Sequence, residues 1–280
     1  MDNKLIVNQI IPFSNVDGNG NRCAIFLQGC NISCVYCHNP ETIRHCNDCG
    51  ECVTACRFGA IRLVNGRIQY NKKLCISCSD CIRACENNSS PKTMTYSVPE
   101  LLDVIKQYLP FIRGITISGG EPTLQKDLII ELFKNVKTLG LSCYVDTNGF
   151  FDVSEMEALV EITDKFLFDI KTVDDSQKLC GVADLSSLAT LEYLLKRNKV
   201  EEVRTVVINS YMDGRKTIEQ VAKLLLNNLD VTYRITKVHT QGLLKKQVVM
   251  VNDFIPSDEQ ILELVQFGRD LGIQKMEYVL

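Results

Sequence analysis

Eleven of the fourteen cysteines in this 280-residue chain lie between Cys30 and Cys85, gathered into three short runs. Disulfide frameworks belong to short secreted chains, so cysteines at two- and three-residue spacing in a chain of this length read as metal ligands. The first run is Cys30-Asn31-Ile32-Ser33-Cys34-Val35-Tyr36-Cys37. Three thiolates are one fewer than a structural zinc or an iron–sulfur cubane takes from its protein. A three-cysteine loop therefore leaves one metal position open to chemistry. The competing reading is a zinc site completed by His38 or by a distant residue. Cys23, Cys143 and Cys180 read as ordinary small residues, the first two within apolar, strand-like runs.

The second and third runs repeat one pattern, Cys46-x2-Cys49-x2-Cys52-x3-Cys56 and Cys75-x2-Cys78-x2-Cys81-x3-Cys85, 29 residues apart. In two-cluster ferredoxins the fourth cysteine of such a run serves the other cluster. Cys46, Cys49 and Cys52 would then share a cluster with Cys85, and Cys75, Cys78 and Cys81 with Cys56. Arg57 and Glu86 stand where a proline often follows the fourth cysteine; they change the polarity beside each cluster without removing a ligand. Ile61-Arg62-Leu63 and Arg67-Ile68-Gln69 suggest a small hairpin between the halves, and Ser89-Ser90-Pro91 an exit linker. Residues 44–92 are expected to form an inserted α+β two-cluster ferredoxin-like domain.

Around that insert, strand and helix signals alternate. Strand-like runs occur at 23–28, 115–117, 141–146, 165–170, 203–208 and 231–238. Helix starts of capping-box form lie at Ser97…Glu100, Ser154…Glu157, Thr217…Gln220 and Ser257…Gln260, the first opening an apolar-periodic helix to Leu109. Six strand–helix units predict an α/β fold with a parallel sheet and right-handed crossovers. Without residues 44–92, 231 residues remain. That is enough for six or seven units of roughly 30 residues and short of the ~250 of a complete barrel. The expectation is a partial (β/α)6 TIM-like barrel of residues 1–43 and 93–280.

A net charge of −3 offers no electrostatic footprint for nucleic acid. No apolar run approaches the roughly 18 residues of a membrane helix. Met1 to Ile10 lack the apolar core and cleavage site of a signal peptide. A cytoplasmic monomer is expected. In parallel barrels the active site forms on loops after the strand C-terminal ends, which is where the three-cysteine loop sits. Ser118-Gly119-Gly120-Glu121-Pro122 follows the second strand, and its glycines and carboxylate suit close approach by an ammonium-bearing ligand. Asp146-Thr147-Asn148-Gly149, Asp169-Ile170-Lys171 and His239 end the third, fourth and sixth strands. Each alone would read as structural; at successive strand ends they share one rim.

These motifs together resemble the radical S-adenosylmethionine (SAM) superfamily: a C-x3-C-x2-C loop with an aromatic before its last cysteine, then Gly-Gly-Glu after the next strand. Asp17-Gly18…Gly20, Tyr36-Cys37-His38-Asn39, Asp146-Thr147-Asn148-Gly149 and Asp169-Ile170-Lys171 are similar to the glycyl-radical-enzyme activating enzymes. The cysteine insert and the wording of Ile10-Ile11-Pro12-Phe13-Ser14, Phe26-Leu27-Gln28-Gly29-Cys30 and His45-Cys46-Asn47-Asp48-Cys49-Gly50-Glu51-Cys52 resemble YjjW-type activases. The resemblance implies that Cys30, Cys34 and Cys37 ligate a catalytic [4Fe–4S] cluster, with Tyr36 to His38 bordering adenine. Gly119, Gly120 and Glu121 would hold the methionine end. Asp169, Ile170, Lys171, Arg204 and His239 would line the rest of the SAM pocket. Asp146, Thr147, Asp169 and the Leu167 carbonyl would take a monovalent cation, and Asp17 would contact the substrate peptide. In place of the more usual Asp-Gly-Pro-Gly, this chain has Asp17-Gly18-Asn19-Gly20.

The activity so implied is one-electron cleavage of SAM to a 5′-deoxyadenosyl radical, which takes hydrogen from a glycine Cα of a partner glycyl radical enzyme. The chemistry belongs to the cofactor, while the protein supplies positioning and a dry pocket. The auxiliary clusters would either relay electrons from a flavodoxin or ferredoxin or staple a docking face. An uphill step of 100 mV costs one electron about 2.3 kcal/mol, so unmatched potentials do not exclude a relay. The rival readings are a radical SAM enzyme acting on a small molecule and a ferredoxin-type electron carrier.

Overall fold

The computed structural model describes residues 3–183 and 187–280. In chain order its strands are β1 (Leu5–Ser14), β2 (Arg22–Leu27), β3 (Ile61–Val64), β4 (Arg67–Tyr70), β5 (Met94–Tyr96), β6 (Gly114–Gly119), β7 (Ser142–Thr147), β8 (Lys165–Asp169), β9 (Val200–Val207), β10 (Thr232–Lys237) and β11 (Met276–Val279). The helices are α1 (Glu51–Ala55), α2 (Asp80–Arg83), α3 (Val98–Lys106), α4 (Lys126–Lys137), α5 (Glu157–Ile162), α6 (Ser176–Cys180), α7 (Ser187–Leu195), α8 (Gly214–Leu225), α9 (Lys245–Val251) and α10 (Asp258–Asp270).

Nine strands make one sheet in the order β11-β10-β9-β8-β7-β6-β2-β1-β5. From β11 to β2 every neighbouring pair is parallel, while β1 and β5 are antiparallel at one edge. The six strands expected from sequence correspond to β2 and β6 to β10. The additional strands escape pattern reading for local reasons. β1 carries two register irregularities against β2, which break its alternation, and β5 has only three residues.

Side chains alternate across the sheet with the period of two that a strand imposes. Cys23, Ile25, Leu27, Ile115, Ile117, Val145, Phe166 and Phe168 face one core with buried residues of α3, α4, α5, α7, α8 and α10. Each such fully buried aliphatic or aromatic side chain is worth about 1.5–3 kcal/mol. Arg22, Thr116, Tyr144, Asp146 and Arg204, of opposite parity, make the other face polar. That face is concave. Arg204 on β9 donates to the Val16 carbonyl beyond β1 at 3.4 Å, although five inter-strand spacings would separate flat strands by about 24 Å. His38, after β2, likewise stacks on His239, after β10, with centroids 4.2 Å apart. The sheet is open yet strongly curled.

Two helix starts differ from expectation. Ser97 and Ser257 form complete capping boxes with Glu100 and Gln260. Asp152, rather than Ser154, accepts the amide hydrogen bond of a 3-10 turn ahead of α5. Asp213 caps α8, which begins three residues before Thr217. In both cases an aspartate just upstream outcompetes the hydroxyl as acceptor. Residues 61–70 form the expected hairpin, turning through Asn65 and Gly66, both at positive φ. At the two ends of the cysteine-rich segment, Arg44 pairs with Ser89 in a parallel bridge.

Arg22 is the most demanding element of the concave face. It is 1% exposed and donates to Thr116 Oγ1 (2.7 Å), Ser142 Oγ (2.9 Å) and the Ile115 carbonyl (2.6 Å), with its guanidinium 3.6 Å above the Tyr144 ring. Arg22→Met leaves those acceptors unpaired and is expected to cost about 3 kcal/mol. The check is a lower denaturant midpoint at unchanged slope; an unchanged midpoint would contradict it.

Candidate metal centre and its rim

The three-cysteine loop leaves β2 at Gly29 and is gripped from every side. Gly29 and Cys30 donate backbone hydrogen bonds to the Thr42 and Ile43 carbonyls, at 2.8 and 2.9 Å. Asn31 Nδ2 donates to the Phe150 carbonyl (2.7 Å), and Gln247 Nε2 to the carbonyls of Val35 (3.2 Å) and Cys37 (3.0 Å). Ser33 and Val35 donate to the carbonyls of Cys180 (2.7 Å) and Leu179 (3.0 Å) at the end of α6. The buried Gln28 side chain holds the next turn through the Glu41 and Arg44 carbonyls. Preorganisation of this kind fixes ligand positions before any metal arrives.

Gly119 and Gly120 line the same cavity, yet their immediate neighbours are backbone. A Cβ on Gly120 would sit 2.0 Å from the Gly29 carbonyl oxygen. The glycines let the cysteine loop cross the end of β6. Glu121 is 1% exposed: its amide donates to the Gly29 carbonyl (2.8 Å), and its carboxylate accepts from Thr123 N–H (3.1 Å), Thr123 Oγ1, Thr147 Oγ1 (both 2.8 Å) and Asn148 N–H (2.9 Å). With its carboxylate so occupied, Glu121 organises the rim instead of offering a free oxygen to an ammonium. Burial pushes its carboxyl above the ordinary value while these donors pull the other way.

A cavity of about 190 Å³ brings together Cys30, Cys34 and Cys37, Tyr36 and His38, Gly119 and Gly120, Asp146 and Thr147, and Asp169 and Lys171. Lys171 Nζ pairs with Asp169 at 2.6 Å; burial opposes its charge, but Asp169 and the nearby Tyr36 and Cys34 hold it well above the usual lysine range. Asp146 accepts from Ser118 Oγ (2.9 Å) and pairs with Arg204 (3.5 Å), which also binds Glu202 (2.6 Å). Arg204 thus stands behind Asp146, outside the cavity lining. His38 Nε2–H donates to the His239 carbonyl (3.2 Å), and burial keeps its imidazole below the ordinary value. Ile170 is fully buried in the main core and contributes no lining side chain. Asp17 is held low in the concave face: its carboxylate accepts from Ser14 Oγ (2.5 Å) and its carbonyl from Thr116 Oγ1 (2.6 Å). A Cβ on Gly18 would overlap the Tyr144 ring, so this loop too is pinned.

The donor set fits an iron–sulfur cluster. Three thiols face one cavity, and burial pushes those of Cys30 and Cys37 up to about 12. As bare thiolates they would be costly; as cluster ligands they are neutralised. The Tyr36 hydroxyl, buried in the lining, has no hydrogen-bond partner among the described residues, at a cost of about 1–3 kcal/mol that a bound group can relieve. The auxiliary cysteines fall into two further cavities, one lined by Cys46, Cys49, Cys52 and Cys85, the other by Cys56, Cys75, Cys78 and Cys81. The fourth cysteine of each run therefore lies with the first three of the other. The halves repeat in detail: Asp48 and Ser77 both adopt positive φ and donate N–H to Cys46 and Cys75 sulfurs, at 3.5 and 3.4 Å.

Sequence reading missed three residues of this site: Gln28, Asn148 and Cys180. Asn148 lies inside a motif already noted, whereas nothing in the pattern around Cys180 sets it apart. Its Sγ lies 3.7 Å from that of Cys34. Cys23 and Cys143 are fully buried in the main core.

Burial pushes the Asp146 carboxyl up to about 6, with Arg204 opposing and Asp169 adding to the rise. Between its ordinary value of 3.8 and about 6 the folded chain keeps a proton that the unfolded chain has released. This group's contribution to stability is therefore present below about pH 4 and lost as pH rises through about 6. Asp146→Asn removes that loss. Relative to wild type, the variant should gain about 2 kcal/mol between pH 4 and 7, seen as diverging urea midpoints; parallel profiles would contradict this.

Comparison with known proteins agrees with this arrangement. The Radical SAM superfamily profile matches residues 24–236. A Haemophilus influenzae protein assigned as a glycyl-radical enzyme activating enzyme is 33% identical, over 98% of this chain and 96% of its own. The isethionate sulfite-lyase activating enzyme of Oleidesulfovibrio alaskensis is 30% identical, over 86% and 85% of the two chains. A solved spore photoproduct lyase, 12% identical, shares the fold at a TM-score of 0.56, over 97% of this chain and 78% of that one. The chain belongs to the radical SAM superfamily and, within it, to the activating enzymes of glycyl radical enzymes.

Proposed function

We propose that this protein generates a radical from SAM and uses it to remove a hydrogen from a glycine Cα in a partner glycyl radical enzyme. The observation that carries the reading is the convergence of Cys30, Cys34 and Cys37 with the Gly119–Gly120 crossing and the Asp146, Asp169 and Lys171 rim in one cavity. When bound at Cys30, Cys34 and Cys37, a [4Fe–4S] cluster with one open iron position supplies the electron and the chelation site for reductive cleavage of SAM. No helix of the described residues is long and apolar enough to cross a membrane. Thiols that must stay reduced suit the cytoplasm.

The chain's own residues position and shield. Asp146 and Asp169 present carboxylates toward an ammonium or a monovalent cation, and Lys171 presents a charge-assisted donor toward a carboxylate. The stacked His38 and His239 rings offer an aromatic wall to a purine. The apolar shell of Ile32, Phe150, Ile208 and Val238 beneath the loop keeps water out. Asp17 and its pinned loop face the concave interior on which Arg204 also lies, which supports an approach for the glycine-bearing peptide there.

Residues 44–92 form, in this reading, a ferredoxin-like domain of YjjW type inserted into a partial (β/α)6 barrel. The two four-cysteine cavities support two auxiliary [4Fe–4S] clusters. The Thr42–Ile43 hydrogen bonds to Gly29 and Cys30 tie the root of that insert to the catalytic loop, favouring an electron relay from a flavodoxin or ferredoxin.

The test is anaerobic incubation of the full chain with SAM, reductant and a candidate partner. The expected result is a glycyl doublet in electron paramagnetic resonance (EPR), lost in Cys34→Ala. SAM cleavage without any doublet, across candidate partners, would favour a small-molecule substrate instead. For the relay, Cys78→Ala should keep activity with dithionite and lose at least about tenfold with a protein reductant; equal activity with both would sink it.

A further inference from the structure

The ligand sulfurs differ in what surrounds them. Cys180, fully buried at the end of α6, holds its Sγ 3.7 Å from Cys34 Sγ. Two backbone hydrogen bonds, from Ser33 and Val35 to the Cys180 and Leu179 carbonyls, fix the two segments in that register. On the other side of the loop Asn148 Nδ2, 6% exposed as a residue, lies 3.9 Å from Cys30 Sγ and donates to Asn31 Oδ1 at 2.8 Å. Asn148 Oδ1 accepts from Phe150 N–H at 2.9 Å, which sets the amide so that its NH2 end faces sulfur. A ligand thiolate has no proton to give. With Cys34 and Cys30 bound to iron, the proton in each contact belongs to Cys180 and to Asn148.

We propose that Cys180 and Asn148 are positioning residues that donate S–H and N–H hydrogen bonds to the Cys34 and Cys30 sulfurs and so raise the reduction potential of the cluster those cysteines hold. The inference rests on the reading of the three-cysteine loop as a cluster site. Reduction adds negative charge that spreads onto the ligand sulfurs, and a donor aimed at sulfur stabilises the reduced state more than the oxidised one. In a buried setting that difference is poorly screened. Cys180 does not line the cavity and acts only through Cys34, so it is distinct from the open-position chemistry.

The experiment compares full-length wild type, Cys180→Ala, Cys180→Ser and Asn148→Ala after anaerobic reconstitution. Its readouts are iron content and the midpoint potential of the EPR component that SAM perturbs. Cys180→Ala and Asn148→Ala should each lower the reduced-to-oxidised ratio at fixed potential by up to about tenfold, 59 mV for one electron. Cys180→Ser, whose hydroxyl still donates, should stay within about twofold of wild type. Full iron content with unmoved midpoints in both alanine variants would overturn the inference. If Cys180→Ala loses iron, Cys180→Ser decides: full iron with a near-wild-type midpoint supports donation, whereas iron loss there too would overturn it by making the sulfur itself indispensable. Absence of any SAM-perturbed component in wild type would overturn the cluster reading, and this inference with it.

Discussion

The architecture turns on one backbone crossing. The cysteine loop leaves β2 and passes over the end of β6 so closely that no side chain fits at Gly120. The Glu121 amide fastens that crossing to the Gly29 carbonyl, and the Glu121 carboxylate carries it on to Thr147 and the Asn148 backbone. The Asn148 side chain returns to Cys30 and Asn31. Three consecutive strand ends are thereby locked to one loop before any cofactor binds. Preorganised ligands matter here because a cluster with an open position has only three protein anchors to define its orientation.

The curl of the sheet supplies the second half of the site. One face is apolar and packed by helices; the other is polar and bends until β9 reaches the loop beyond β1. Several half-buried charges on that concave face are paired: Asp169 with Lys171, Asp146 with Arg204, and Arg204 and Arg234 with Glu202. Pairing of this kind offsets part of the desolvation cost at the rim and leaves it able to meet a zwitterionic ligand. The cysteine-rich segment 44–92 leaves the same loop, its start held by Gln28 and by the Thr42–Ile43 hydrogen bonds.

Much of this was legible because spacing encodes it. Ligand cysteines must recur at short fixed intervals, and the strands that feed the rim are short, β-branched and regularly placed. What stayed hidden depends on contacts between segments far apart in the chain. Cys180 acquires its place only when α6 docks 146 residues from Cys34. Glu121 looked like a free ligand, yet the fold surrounds it with donors from two strand ends. The caps at Asp152 and Asp213 were misread for a local reason, since two acceptors lay within a few residues and the hydroxyl gave the more recognisable pattern. The irregular β1 offered no period to detect.

The central claim is that Cys30, Cys34 and Cys37 hold a cluster whose open position takes SAM. The most direct measurement is iron analysis with EPR of the reduced protein before and after SAM addition. About 12 irons per chain are expected from three cubane clusters, with SAM altering one EPR component only. Replacing the three loop cysteines by alanine should leave about 8 irons and remove that component. A SAM-responsive signal that survives the triple replacement would contradict the account.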